Sequence, residues 1–189
     1  MTELMKNPKV MKKVQDEVRS LIRNKEKVEE TDLDQLQYLK SVIKETLRLH
    51  PPVPLFLQRE TIQYCKIHDY DIPAKTRLLI SAWAIGRDPK IWERADEFYP
   101  DRFMNNSIDY RGHHFQFIPF GAGRRICPGM QSGILVVELA LANLLYLFDW
   151  ELPNGMSKED IDMSEAPGVT VHKKLALHLV AKKFQGVKG

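Results

Sequence analysis

The chain is poor in several features that mark specialised proteins. It has two cysteines in 189 residues, Cys65 and Cys127, so no disulfide framework staples it, and both thiols are expected to be free in a reducing compartment. Its 28 basic and 25 acidic side chains leave a formal charge of only +3, too little for a surface built to neutralise nucleic-acid phosphates. No basic-then-apolar leader opens it. No apolar run reaches the roughly 20 residues that span a bilayer. The longest, Ile134 to Phe148, is interrupted by Glu138 and Asn143 and reads as a buried helix. Repeats and low-complexity tracts are also missing. The apolar fraction of 43% and charged fraction of 28% are those of an ordinary globular chain.

The pattern predicts helices at both ends of the chain and extended segments between them. The first residues read as the tail of a helix, and "NP" then resets the register, with Asn7 as cap and Pro8 at the first helical position. On this reading Met1 is an internal methionine of a longer protein. Val10, Val14, Val18, Leu21 and Ile22 recur at helical spacing, giving an amphipathic helix over 8–23 with a basic outer face. "NKEKVEE" reads as a charged, solvated loop. A second helix is expected from a Thr31 cap, with Leu33, Leu36, Leu39, Ile43 and Leu47 inward, stopping at His50 because Pro51 disfavours helical geometry before it. Residues 51–84 alternate β-branched and aromatic residues with turn signals, as in a small sheet. About forty aperiodic residues follow, longer than an ordinary connection and therefore expected to be functional or to wrap something. A helix is predicted from about Pro128 to Phe148, and Leu175, Leu177 and Leu179 alternate like a strand.

Chemistry concentrates in "FGAGRRICPG", Phe120 to Gly129. Cys127 stands just ahead of the predicted helix, where unpaired N–H groups and the helix dipole favour an anion, and Arg124 and Arg125 add positive charge. These neighbours favour a thiolate. Gly121, Gly123 and Gly129 permit tight turns and close approach of a flat, bulky ligand. A zinc site needs three or four ligands, but only His113 and His114 are near; a phosphate loop needs a lysine and hydroxyl that are lacking. A nucleophilic cysteine stays open as an alternative, though a bare cysteine with its histidines at a distance is a weak signal for one. A single thiolate on haem iron, with an arginine two residues earlier to pair with a porphyrin carboxylate, suits all the residues present. The six histidines show no metal-binding pair and read as ordinary polar residues, and Cys65 as a structural thiol.

Phe120, Gly123, Arg125, Cys127 and Gly129 match every fixed place of the F-x-x-G-x-R-x-C-x-G loop of the cytochrome P-450 family of haem-thiolate monooxygenases, and "PFGAGRRICPG" resembles its plant microsomal branch. Other stretches agree. Glu45 and Arg48 in "KETLRLHPP" match the family's E-x-x-R helix, and Arg102 in "FYPDRF" matches the arginine of its P-E-R-F segment, with Asp101 where glutamate is usual. Alone, Glu45 and Arg48 would read as a surface pair of about 0.2 to 0.5 kcal/mol. In the family they form, with Arg102, a buried triad that ties the long loop to the helix behind the haem. Arg59 in "FLQRE" resembles the arginine that reaches a haem propionate from the sheet, here after Gln58 in place of the usual proline.

The resemblance implies a mainly α fold with small β-sheets, the C-terminal part of the cytochrome P-450 fold, with 1–189 as an incomplete portion of one domain. It implies haem b, iron protoporphyrin IX, ligated by Cys127 and cradled by Phe120, Gly121, Gly123, Arg125 and Gly129. It implies dioxygen as co-substrate and NADPH as electron source through NADPH-cytochrome P-450 reductase, docked near the cysteine loop and steered by Arg124. By family position, Val53, Leu55 and Phe56 in "PPVPLFL" and Val169 and Thr170 in "APGVTVH" line the pocket for a small lipophilic substrate. The family's oxygen-activating helix and N-terminal membrane anchor are expected upstream of Met1. The implied location is the endoplasmic reticulum membrane, cytosolic face, held through that anchor. A truncated, non-catalytic product that binds haem weakly or meets only the reductase is the alternative. No nucleic-acid partner is expected.

Overall fold

A computed structural model describes residues 1–23, 25–153 and 155–186. Five α-helices carry most of the regular structure: α1 Thr2–Lys6, α2 Pro8–Leu21, α3 Gln37–Leu49, α4 Ala82–Gly86 and α5 Met130–Leu147. The strands are short and pair as four two-stranded antiparallel sheets. β1 Arg59–Glu60 pairs with β4 Arg77–Leu78, and β2 Cys65–Ile67 with β3 Tyr70–Ile72. β5 Phe148–Glu151 pairs with β8 Val180–Lys183, and β6 Glu165–Ala166 with β7 His172–Lys173. The fold is mainly helical with small sheets, as the resemblance implied.

The core forms where α2, α3 and α5 meet. Val14 and Val18 of α2, Leu39 and Val42 of α3, and Ala142 and Leu145 of α5 are buried together with Leu36. Each large aliphatic removed from water there contributes about 1.5 to 3 kcal/mol. A second cluster packs Trp92, Phe103 and Phe117 in tilted and edge-on contacts, with Trp92–Phe103 centroids 5.7 Å apart and Phe103–Phe117 centroids 5.1 Å apart. It gives the long aperiodic stretch its own anchor.

Several local expectations change. Asn7 is the N-cap residue of α2 with Pro8 after it, but its side chain makes no capping bond; Nδ2 donates backwards to the Glu3 carbonyl at 2.9 Å and to Glu3 Oε2 at 3.2 Å. Leu21 faces solvent because α2 ends there, and Ile22 turns inward instead. The second helix is two pieces, a 3-10 helix Glu30–Gln35 and then α3, broken at Leu36. Thr31 is exposed, and the cap is a reciprocal box in which Glu29 N–H donates to Asp32 Oδ2 at 2.9 Å. Asn24 of the charged loop lies outside the described residues, but the rest is not simply solvated. Val28 is buried, and its N–H and carbonyl are both held at 3.0 Å by the side chain of Asn143 on α5.

The segment expected to stay extended to Ala84 turns at Ser81, whose hydroxyl caps α4. Residues 174–179, despite alternating leucines, join no ladder and sit between β7 and β8. α5 is long and apolar enough to cross a membrane by length and composition, and it is not buried all round. Ile134, Glu138, Ala142, Leu145 and Tyr146 face the core, whereas Val136 is 65% and Val137 48% exposed.

Candidate functional site

The loop from Phe120 to Gly129 is closed on itself by backbone bonds. Cys127 N–H donates to Phe120 O at 2.9 Å, Ile126 N–H to Gly123 O at 3.1 Å, and Gly121 N–H to Ile118 O at 2.9 Å. Gly121 at φ +78° and Gly123 at φ +70° take the left-handed turns that this closure demands and that a Cβ would strain. Cys127 is held at the exposed side of the ring. α5 starts three residues later behind Gly129, with no side chain capping its first turn and no acidic residue in it. From Pro119 to Val137 there is no acidic side chain at all. Arg124 and Arg125 sit in a 3-10 turn, exposed, and neither makes a side-chain hydrogen bond or ion pair among the described residues. The free charge contributed by this stretch of chain is therefore entirely positive.

Two supports of this loop escaped the sequence reading. Gly112, at φ +83° and buried, lies behind it: a Cβ there would meet Ile126 Cδ1 at 3.0 Å and Ala122 Cα at 3.2 Å. Tyr110 packs edge-on against Phe120 at 5.9 Å between centroids. Neither lies in a motif, and only the fold puts them against the loop.

Glu45, Arg48 and Arg102 are brought together. Arg48 and Glu45 are fully buried and paired twice, Nε to Oε2 at 2.8 Å and Nη2 to Oε1 at 2.9 Å. Glu45 Oε1 also accepts from Arg102 Nε at 3.0 Å and from Tyr99 N–H at 2.7 Å. Arg48 spends its remaining donors on the carbonyls of Gly86, Ala95 (2.6 Å) and Glu97 (3.1 Å). All five guanidinium N–H groups thus have acceptors, the condition under which burying such a charge is tolerable. Arg102 reaches the carbonyls of Glu93 at 2.6 Å and Arg94 at 3.0 Å. One helix thereby fixes the chain from Gly86 to Arg102. Asp101 faces elsewhere, accepting from Tyr38 Oη at 3.1 Å and pairing with Lys13.

Arg59 lies exposed in β1 opposite Leu78 and makes no side-chain hydrogen bond or ion pair among the described residues. Val53 and Phe56 are half-buried and Leu55 half-exposed; Val169 and Thr170 are exposed. The two segments carrying these residues meet, since Val171 N–H donates to Pro52 O at 2.8 Å. Beside them is a cavity of about 640 Å³, walled by Val42 and Leu47 of α3, Ile134 and Val137 of α5, Phe120 of the loop, and Val171. His50 departs from the ordinary role expected of it. Its ring stands between Glu3 and Glu165, at 2.7 Å from one carboxylate and 3.0 Å from the other.

These residues fit a haem held through one protein ligand. A lone exposed sulfur sits on a glycine-framed loop, unpaired guanidiniums flank it, and no cluster of three His, Cys, Asp or Glu side chains suited to a metal occurs among the described residues. The cytochrome P450 family profile matches residues 1–180. Cytochrome P450 71A1 of Persea americana is 62% identical over 183 residues, 97% of this chain and 36% of that protein. Cytochrome P450 71B20 of Arabidopsis thaliana is 56% identical over 186 residues, 98% of this chain and 37% of that protein. A zebra fish cytochrome P450 solved with abiraterone superposes with a TM-score of 0.84 at 25% identity, over 96% of this chain and 41% of that one. The chain spans little more than a third of the length of these curated relatives. From the loop, the paired arginines and these matches together, it follows that the chain belongs to the cytochrome P450 family.

Proposed function

We propose that this chain supplies the thiolate ligand and the supporting wall of a haem monooxygenase that inserts one oxygen atom of dioxygen into a small lipophilic substrate. The observation that carries the reading is Cys127, exposed on a closed glycine loop that also carries the exposed Arg124 and Arg125, in a chain of this family. Cys127 Sγ is the metal-binding atom. Arg125 and Arg59 would bind the carboxylates of the porphyrin by charge-assisted hydrogen bonds. Phe120 closes the loop side, and Gly121, Gly123 and Gly129 leave room for a flat ring. Bound haem supplies oxygen-activating redox chemistry, which a thiolate ligand promotes by pushing electron density onto the iron.

The remaining residues hold the frame. Glu45, Arg48 and Arg102 fix the stretch from Gly86 to Arg102 on α3. Val53, Leu55, Phe56, Val169 and Thr170 do not line the cavity between α3 and α5, and in the complete protein they would supply a mostly apolar lining suited to a lipophilic molecule. Electrons come from NADPH through a reductase, drawn to the basic face at Arg124. The same reading locates the complete protein on the cytosolic face of the endoplasmic reticulum membrane. The test is turnover: the complete protein, supplied with reductase and NADPH, converts a panel of apolar aromatic substrates to oxygenated products, and Cys127→Ser abolishes this. A folded, haem-free protein that only binds the reductase would favour the non-catalytic alternative.

A further inference from the structure

His50 ends α3, and its ring gathers elements far apart in sequence. Nε2 lies 2.7 Å from Glu3 Oε1 on α1, and Nδ1 lies 3.0 Å from Glu165 Oε1 on β6. Ionised carboxylates only accept, and a neutral imidazole donates through only one nitrogen. Both contacts are hydrogen bonds together only when the ring carries two protons. The other oxygen of Glu3 accepts from Asn7 Nδ2 at 3.2 Å, so the carboxylate is oriented towards the ring. Both carboxylates hold the imidazole above its ordinary value, Glu3 more strongly, against the opposing effect of burial. Of the other charges, the Arg87 guanidinium acts on both carboxylates. The buried Arg48 acts on Arg87, while His172 and Lys173 share the cavity wall with Glu3, His50 and Glu165.

Glu165 opens the β6–β7 hairpin, whose tip carries Val169 and Thr170. That hairpin meets the segment after α3 through Val171 N–H to Pro52 O, and the Glu165–His50 contact is the second tie at the same junction. We propose that His50, shared between Glu3 and Glu165, is a positioning residue that clamps the β6–β7 hairpin against Pro51–Phe56 and so sets the shape of the substrate pocket. This inference rests on the monooxygenase reading for what Val169 and Thr170 contact; the clamp itself rests on the geometry alone. Its sign with pH follows from the raised value. The tie is complete below the ordinary imidazole range near 6.5 and is lost as pH rises through the higher folded value.

The test compares clotrimazole, an imidazole bearing a bulky triaryl group, with unsubstituted imidazole on the haem-loaded complete protein, following the Soret shift on nitrogen binding. In His50→Gln the preference for clotrimazole falls roughly tenfold at pH 6, where the tie is complete, while imidazole affinity is unchanged. Glu165→Gln repeats the loss. His50→Arg, which keeps the cation and several donors, restores the preference and removes its decline at high pH. Equal losses for both ligands, or an unaltered preference in His50→Gln and Glu165→Gln, overturn the clamp. A wild-type protein without a thiolate-ligated haem fails the monooxygenase reading instead. Amide exchange at Val171 then decides: faster exchange in His50→Gln than in His50→Arg at the same pH supports the clamp, and equal exchange overturns it.

Discussion

At the scale of single residues, the site is a matter of which polar groups are satisfied and which are left free. Arg48 has every donor occupied inside the protein, while Arg124 and Arg125 have none of theirs occupied among the described residues. The first is structural and the others are available to a ligand. Glu45→Gln leaves two guanidiniums without their carboxylate, one of them fully buried. Urea unfolding of the haem-loaded protein is expected to show a loss of about 3 to 5 kcal/mol. Gly112→Ala forces a Cβ against Ile126 and Ala122 at a left-handed φ. It is expected to lower haem retention and cost about 1 to 3 kcal/mol, whereas Ala122→Gly, a short step away, leaves retention nearly intact. Cys127, Arg125 and the glycines were legible from the sequence because their ten-residue spacing is itself the chemistry. Gly112 and Tyr110 were not, since a packing partner ten to fourteen residues away leaves no pattern.

Elements depend on partners that lie outside their own sequence. The first turn of α3 has no cap of its own, and Leu36 offers no side-chain acceptor. The Glu17 carboxylate on α2 takes that role, accepting from Tyr38 N–H at 2.7 Å and Leu39 N–H at 2.9 Å. Glu17→Ala is expected to cost about 1 kcal/mol or somewhat more in denaturant unfolding, the size of a lost N-cap with charge. α5 carries a different cost. Glu138 is buried and makes no hydrogen bond among the described residues, and burial pushes its carboxyl above the usual range despite Lys40 and Lys44 nearby. A carboxyl with a raised folded value adds stability only while protonated, so stability is lost as pH rises through that value. Glu138→Gln should therefore gain stability relative to wild type as pH rises above the usual carboxylate range, read from unfolding midpoints measured across that rise. Helical periodicity showed where α2, α3 and α5 lie, but a cross-element cap such as Glu17 cannot be read from periodicity. Alternating leucines at 175–179 misled for the same reason, because a strand needs a partner that alternation does not specify.

For the whole molecule, fold class and family were legible because three separated stretches, around Glu45, Arg102 and Cys127, each carried a recognisable spacing in the expected order. Their meeting in space was not, and neither was the His50 junction between α1, α3 and β6, which joins residues 47 and 115 positions apart. The central claim is that Cys127 sulfur ligates haem iron, and the most direct measurement is the spectrum of the reduced carbonyl adduct of the complete protein. Thiolate ligation predicts a strongly red-shifted Soret band that Cys127→Ser lacks. A well-folded, haem-loaded protein whose adduct shows an unshifted band, or whose shifted band survives Cys127→Ser, would contradict it.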